Sequence, residues 1–170
     1  MDIITGVDLG YSGEGFIDGI NRREYKNEDN SISYVMFKPV LFEGKSVFKN
    51  LLYVYKVKDK KYNKANAVNE IKEISKELGI TNLLNKKAKK LSRFEKELVS
   101  FARIMIKKPK LIVVDEPLFY TQGVEKNTLV IALKSIAKKL SSVVVVAEKV
   151  ENLPQFEDSR VLRMDGGKVF

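Results

Sequence analysis

The sequence contains no cysteine and no histidine. Without Cys, disulfide bonds, thiolate metal sites and cysteine nucleophiles are excluded, and without His the commonest general base and metal ligand is missing. No apolar run reaches the roughly 18 residues that a membrane-spanning helix requires. The first ten residues, MDIITGVDLG, also lack the basic start of a secretory signal. Chemistry in this chain must therefore rely on carboxylates, Lys or Arg, hydroxyls and backbone amides.

Positive charge is in excess, with 31 Lys and Arg against 22 Asp and Glu and a formal net charge of +9. Such an excess indicates an acidic partner, such as nucleic acid, a nucleotide or an anionic membrane surface. Most of it is Lys within Lys/Asn/Ile-rich sequence, which a biased genome composition also produces. Charge by itself therefore leaves both explanations open.

The 170 residues are enough for one domain with a buried core, and we predict a single domain in three parts. Residues 1–60 form a glycine-rich part with a turn at Asp18-Gly19 and a strand over Ile32–Phe37. Val47–Tyr55 is apolar enough for a helix, although a strand is also possible. Residues 61–108 are predicted to be helical, with one helix over Asn63–Leu78 and a second opened by a capping box.

The third part, residues 109–170, alternates strands and helices. The runs Leu111–Val114 and Val143–Val146 are predicted to be buried strands, with a helix from about Val124 between them. A terminal hairpin is predicted around residues 165–167. This alternation predicts an α/β fold, in which a mostly parallel sheet is flanked by helices.

The motif LIVVDEP places two adjacent acids, Asp115 and Glu116, directly after an apolar strand. The carboxyl edge of a parallel sheet is where α/β proteins form ligand sites. In nucleotide hydrolases the first acid of such a pair orients Mg²⁺ and the second activates water. The alternative is that the strand simply ends in polar residues before Pro117.

A second motif, LSRFEKELVSFAR (Leu91–Arg103), precedes LIVVDEP across a short Lys/Pro linker. Together they resemble the signature helix and magnesium-binding strand of ATP-binding cassette (ABC) ATPases, with the pattern LSGGQ or LSGGE, a helix ending in Ala-Arg, and an apolar strand with DEP. Residues 12–19, 39–55 and 143–169 also resemble family segments. The resemblance implies a truncated P-loop NTPase fold and ATP with Mg²⁺ as cofactors. It further implies roles for Asp115 at the metal, for Glu116 as the vestigial water-activating carboxylate, and for Ser92, Arg93 and Glu148 near the nucleotide.

The phosphate-binding loop of the family is missing from this sequence. Gly44-Lys45-Ser46 ends like GxxxxGK[ST], but Pro39 stands where the first glycine is required, and proline has no N–H for an amide cradle. In the family this loop would precede residue 1, and Met1–Gly6 is similar to the end of the helix that follows it. We therefore expect an incomplete sheet with an exposed edge. The alternative is that the glycine-rich N-terminal segment folds back and covers the gap.

Other family positions are also changed. Arg93 and Phe94 replace the signature glycines, which allow close approach to ATP held by the opposite subunit, and we expect Phe94 to obstruct that approach. Glu148 replaces the switch histidine, and Lys38 replaces the glutamine of the glutamine loop. Residues 119–122 (FYTQ) stand where the family has S.LD. We therefore expect negligible ATP hydrolysis by this chain alone.

Three functions follow from these observations. The first is an ATP-binding subunit of an ABC transporter at the cytoplasmic face of the membrane. The second is a degenerate ABC domain that binds a membrane transporter subunit or an intact ABC ATPase, as a homodimer or with an obligate partner, and does not hydrolyse ATP. The third is a nucleic-acid-binding module, which rests on charge alone and comes last because no known motif supports it.

Overall fold

The structure is a computed structural model that describes residues 1–25, 31–59, 61–156, 159–166 and 168–169. The helices are α1 (Asp2–Thr5), α2 (Val47–Lys58), α3 (Lys64–Glu77), α4 (Arg93–Lys107) and α5 (Gly123–Leu140). The strands are β1 (Phe16–Ile17), β2 (Ile20–Asn21), β3 (Ile32–Val35), β4 (Leu111–Asp115), β5 (Val143–Ala147), β6 (Met164–Asp165) and β7 (Lys168–Val169). Short 3-10 turns cover Thr81–Leu83, Ala88–Lys90 and Val150–Phe156.

A parallel sheet in the order β3-β4-β5 forms the centre of the fold. In its register Val113 lies opposite Tyr34 on one side and Val145 on the other. The predicted α/β fold with a parallel sheet is confirmed, and the strands at 111–114 and 143–146 pair directly. Two short antiparallel pairs, β1 with β2 and β6 with β7, confirm the predicted turns at Asp18-Gly19 and around residue 166.

The four consecutive valines do not form the buried strand that their composition predicts. Val143 is 65% exposed and the rest of β5 is only half-buried. The reason is that β5 pairs with β4 on one side, and within the described residues no strand pairs with its other edge. Ile112, Val113 and Val114 of β4 lie between two strands and are fully buried. The described sheet therefore ends in an apolar edge.

The sequence allowed either a helix or a strand over Val47–Tyr55, and in the structure this segment belongs to helix α2. Ser46 caps it by accepting a hydrogen bond from the Lys49 amide (3.2 Å), and Val47 and Leu51 are fully buried. The predicted strand at 32–37 is shorter than expected and ends at Val35, since the ring of Phe37 leaves the sheet to contact Phe119 with 5.3 Å between ring centroids.

Helix α4 lies at the middle of the core. It contacts α2, α3 and α5, and its central residues from Glu97 to Ala102 are all buried. The predicted capping box is confirmed, because the Ser92 hydroxyl accepts from the Glu95 amide (3.1 Å) and the Glu95 carboxylate accepts from the Ser92 amide (2.7 Å). The position and direction of α4 are thus fixed at both its start and its buried face.

The first residues form the short helix α1, which ends at Gly6 with a φ of 78°. Arg22 is buried and donates from Nε to the Ile4 carbonyl (2.8 Å). Its guanidinium lies where a side chain on residue 6 would start, so this position requires glycine. Asp2 of α1 accepts a hydrogen bond from Tyr34 (3.2 Å), which holds α1 against β3.

Among the residues that the structure describes, no helix combines the length and the hydropathy needed to cross a bilayer.

Candidate functional site

The two adjacent acids lie at the carboxyl edge of the sheet, as the motif predicts. Asp115 is the last residue of β4, and the Glu116 amide donates to the Ala147 carbonyl at the end of β5 (2.9 Å). Both side chains are half-buried. Glu116 has a φ of 43°, a left-handed conformation that costs an L-residue about 1–2 kcal/mol. Strain of this kind is characteristic of functional positions.

Asp115 shares a hydroxyl donor with a second carboxylate. The Tyr34 hydroxyl lies 3.4 Å from Asp115 Oδ2 and 3.2 Å from Asp2 Oδ1. The pKa of Tyr34 is raised above its ordinary value, first by burial and then by these two acids. The phenol therefore stays protonated and places its hydrogen between the carboxylates. Sequence reasoning missed Tyr34 and Asp2, because only the parallel pairing of β3 with β4 brings them to this edge.

Glu148 follows β5 and connects two loops. Its Oε2 accepts from the Leu118 amide (3.0 Å), in the loop after Glu116. Its Oε1 accepts from Asn152 Nδ2 (2.8 Å) and from the Lys149 amide (3.0 Å). Both carboxylate oxygens are thus engaged within the chain, and Glu148 fixes the loop that begins with the two acids.

Arg93, at the start of α4, is held by a carboxylate and by two aromatic rings. Its Nε donates to Glu97 Oε1 (3.0 Å). The guanidinium carbon also lies 5.5 Å from the ring centroid of Phe37 and 5.0 Å from that of Tyr120. Arg93 therefore links α4 to the segment after β3 and to the loop after Glu116. Neither aromatic contact has a clear sequence signal.

Phe94 is the second residue of α4. It is half-buried and packs against the core. Ser92 is exposed and caps α4. Within the described residues no hydrogen bond or ion pair joins Ser92 or Arg93 to Asp115 or Glu116. The predicted site residues therefore lie in two groups: Ser92 and Arg93 at the start of α4, and Asp115 and Glu116 at the end of β4. Tyr120, in the loop after Glu116, contacts Arg93 and so connects the two groups.

In the segment that ends in Gly44-Lys45-Ser46, two backbone amides are hydrogen-bonded within the chain. The Phe42 amide donates to the Asn50 side chain (2.8 Å), and the Lys45 amide donates to the Phe42 carbonyl (2.9 Å). Asn50 is fully buried and donates in turn to the carbonyls of Phe42 (3.2 Å) and Ser46 (3.0 Å). These bonds leave neither amide available to a phosphate.

The fit of ATP and Mg²⁺ can be tested on these contacts. A half-exposed carboxylate such as Asp115 is a suitable ligand for Mg²⁺. Within the described residues, however, no group of three Asp or Glu side chains could hold a metal ion together. The described residues therefore fit a magnesium contact at Asp115, where one protein carboxylate and the phosphates of a nucleotide would share the ion.

Similarity to known proteins extends over most of the chain. The family model described as "ABC transporter" matches residues 1–119. The tungstate uptake system ATP-binding protein TupC of Peptoclostridium acidaminophilum is 30% identical over 98% of this chain and 78% of its own length. The molybdate/tungstate import ATP-binding protein WtpC of Thermococcus kodakarensis is 31% identical over 82% of this chain.

The match to WtpC proteins is partial on their side. This chain spans 42% of the Thermococcus kodakarensis protein and 40% of the one from Pyrococcus abyssi, which is 29% identical. A solved dimeric ATP-binding cassette, in a post-hydrolysis state with ADP and Pi, superposes with a TM-score of 0.75 at 20% identity. That match covers 91% of this chain and 70% of the solved chain, and it shows the fold. With the matching motifs, the family match and the shared fold, this chain belongs to the ABC transporter family.

Proposed function

We propose that this chain acts in an ABC import system as a component that resembles the ATP-binding subunit. We further propose that it does not hydrolyse ATP on its own. Members of this family bind ATP and Mg²⁺ as ATP-binding subunits of membrane transport systems. The relatives named above act on molybdate or tungstate. A tetrahedral oxyanion of this kind is therefore the substrate class that we propose for the system, and its recognition belongs to the membrane and binding subunits.

The observation that carries the proposal is the internal bonding of the only GK[ST] segment in the sequence. Phosphoryl transfer depends almost entirely on positioning and electrostatic stabilisation, and an amide cradle with its Lys supplies both. Here the amides of Phe42 and Lys45 are already paired, and Asn50 occupies the inside of the turn. Two carboxylates at the sheet edge cannot replace this cradle.

The roles of the remaining site residues follow from their contacts. Asp115 is proposed as the metal ligand and Glu116 as the vestigial water-activating carboxylate. Arg93 is held by Glu97 (3.0 Å), and Glu148 has both oxygens engaged, so these two are proposed to position loops rather than to contact phosphate. Ser92 is proposed to cap α4 and to lie at the face that a partner's nucleotide would approach.

A protein partner is proposed from the edge of β5. This edge is apolar and within the described residues it pairs with no strand. Open edges of this kind recruit a further strand. We propose that the partner is an intact ABC ATPase, a membrane transporter subunit or a second copy of the chain, at the cytoplasmic face of the membrane.

Hydrolysis is tested by phosphate release from Mg-ATP with the purified chain and with Glu116→Gln as the matched variant. We expect both proteins to give the same background rate, because no group in the described residues holds the phosphates. Turnover that is lost in Glu116→Gln would contradict the proposal, since a contaminating ATPase would be insensitive to this substitution.

Association is tested by sedimentation velocity at micromolar concentration. We expect a dimer, or a complex when the membrane subunits are co-expressed. A monomer that shows no binding of an apolar-surface dye and no complex with those subunits would contradict the partner proposal, while it would leave the hydrolysis result unchanged.

A further inference from the structure

Tyr34 lies on the same face of the sheet as the acid that ends β4. In the parallel pairing of β3 with β4, Tyr34 is opposite Val113. Opposed residues of two paired strands point to one face, and so do alternate residues of a single strand. The side chains of Tyr34, Val113 and Asp115 therefore share a face, and Asp115 is the one nearest to the carboxyl edge. The long side chain of Tyr34 thus ends beside the Asp115 carboxylate.

The Tyr34 hydroxyl engages one of the two oxygens of this carboxylate. It lies 3.4 Å from Asp115 Oδ2. Among the described residues no other hydrogen bond reaches the Asp115 side chain, and no Lys or Arg forms an ion pair with it. The orientation of the Asp115 carboxylate therefore depends on Tyr34, while its Oδ1 has no partner within the described part of the chain.

The phenol is held in turn by Asp2, whose Oδ1 lies 3.2 Å from the same hydroxyl. A hydroxyl has a single hydrogen, so the two carboxylates share it. Both distances exceed the roughly 2.5–3.0 Å of a strong O–H···O bond, and neither acid takes the hydrogen alone. Burial and the two acids raise the pKa of Tyr34, so this hydrogen stays on the phenol at neutral pH.

We propose that Tyr34 is a positioning residue that determines how Asp115 binds a divalent cation, an inference that rests on the metal contact proposed at Asp115. By donating to Oδ2, the phenol turns the carboxylate so that Oδ1 alone faces the ion. Hydrogen bonds to a ligating carboxylate orient it, and their loss typically costs about 10–100-fold in metal affinity. Tyr34 acts through Asp115 and does not touch the ion itself.

The same contact affects which cation is preferred. Mg²⁺ requires near-octahedral geometry and usually combines one or two carboxylates with water or phosphate oxygens. Ca²⁺ is larger, accepts more ligands and can take both oxygens of one carboxylate. Because the Tyr34 hydroxyl engages Oδ2, it favours binding through one oxygen of Asp115. Tyr34 therefore shifts the preference of Asp115 away from Ca²⁺ and toward Mg²⁺ or Mn²⁺.

The test uses Mn²⁺ alone as a paramagnetic probe and NMR spectra of the ¹⁵N-labelled chain, because a bound Mn²⁺ ion broadens nearby amide signals even when it binds weakly. The signals to follow are those of Asp115, Glu116 and Ala147, since Ala147 lies opposite Asp115 in the sheet. We expect them to broaden in the unmodified chain but not in Asp115→Asn. In Tyr34→Phe, the Mn²⁺ concentration that gives half of the broadening should rise about tenfold.

Competition distinguishes a positioning role from a structural one. Mg²⁺ and Ca²⁺ are each titrated against bound Mn²⁺, and recovery of the signals gives the ratio of their affinities. We expect this ratio to shift toward Ca²⁺ in Tyr34→Phe, whereas a general loosening of the fold would weaken both ions alike. Tyr55→Phe is the matched control, because it removes a hydroxyl that donates to another carboxylate, Glu70 Oε2 (2.7 Å), and it should change neither quantity.

A second variant tests the same contact without a change in β3. Asp2→Asn weakens the competing acceptor, so the phenol hydrogen moves toward Asp115, and the affinity ratio should shift toward Mg²⁺. The lost charge of Asp2 affects both ions equally and cancels in the ratio. Circular dichroism verifies that each variant is folded.

Three results would overturn the inference. One is the absence of broadening in the unmodified chain, which would also remove the metal role proposed for Asp115. Another is broadening that requires Asp115 but is the same in Tyr34→Phe, which would leave the metal contact in place without a positioning role. The third is an affinity ratio that neither Tyr34→Phe nor Asp2→Asn changes, which would indicate a structural role only. None of these results depends on whether the chain hydrolyses ATP, which phosphate release measures separately.

Discussion

Glu97 gives this protein a predictable dependence of stability on pH. It lies in the middle of α4 with only 1% of its surface exposed. Its Oε1 accepts from Arg93 (3.0 Å), but its Oε2 has no hydrogen-bond partner among the described residues. Burial raises the pKa of Glu97 from 4.5 to about 7, and the attraction of Arg93 only partly opposes this shift.

The sign and size of the effect follow from linkage. Between pH 4.5 and 7 the folded state holds a proton on Glu97 that the unfolded chain has released, so stability falls as the pH rises through this range. A difference of one pKa unit corresponds to about 1.4 kcal/mol, so Glu97 should lower the free energy of unfolding by about 2–3 kcal/mol from pH 5 to pH 8. Stability is fully present below pH 4.5 and is lost as the pH passes 7.

The free energy of unfolding is measured by urea denaturation at half-unit steps from pH 5 to 8, for the unmodified chain and for the Glu97→Gln variant. Gln has nearly the same size as Glu and stays neutral, so the free energy of unfolding of the variant should not fall between pH 5 and pH 8. The sequence has no histidine, and therefore no other side chain with an ordinary pKa titrates in this range. Glu73→Gln, at an exposed position on α3, is the matched control and should keep the decline. Parallel curves for the chain and Glu97→Gln would refute the reasoning.

Two further substitutions test other contacts of the candidate site. Glu148→Ala leaves the buried amide of Leu118 without its acceptor and should lower the free energy of unfolding by about 1–3 kcal/mol. Urea denaturation measures this loss, and Glu151→Ala, at an exposed position, is the control. Equal free energies of unfolding for the unmodified chain and Glu148→Ala would show that the hydrogen bonds of Glu148 do not stabilise the two loops. Ser92→Ala removes the cap of α4 and should cost about 1 kcal/mol. The measurement is thermal unfolding at pH 5, where Glu97 stays protonated. A melting temperature of Ser92→Ala equal to that of the unmodified chain would contradict the capping role.

Local signals in the sequence were sufficient for most elements. Ser92 and Glu95 form a capping box that depends only on residues three apart, and the turn at Asp18-Gly19 depends on two residues. The run Leu111–Val114 is apolar on both faces, as the central strand of a parallel sheet must be. Helical spacing likewise predicted α3 and α5. Such features are recoverable from sequence because their causes lie within a few residues.

The candidate site was recoverable only in part. The motif LIVVDEP placed Asp115 and Glu116 at the sheet edge, and the resemblance to ABC ATPases identified the family. The hydroxyl of Tyr34 at Asp115 and the contact of Arg93 with Tyr120 join residues far apart in the chain. No spacing rule predicts such pairs, since they arise when separate elements pack together.

The sequence by itself determined the family, most of the strands and helices, and the absence of His and Cys chemistry. The tertiary structure decided burial and partners. The tertiary structure placed the four valines of β5 in an edge strand, where they are partly exposed because β5 has a neighbouring strand on one side only. It buried Glu97 and engaged Glu148 inside the chain, because burial and hydrogen bonding are set by which elements surround a residue.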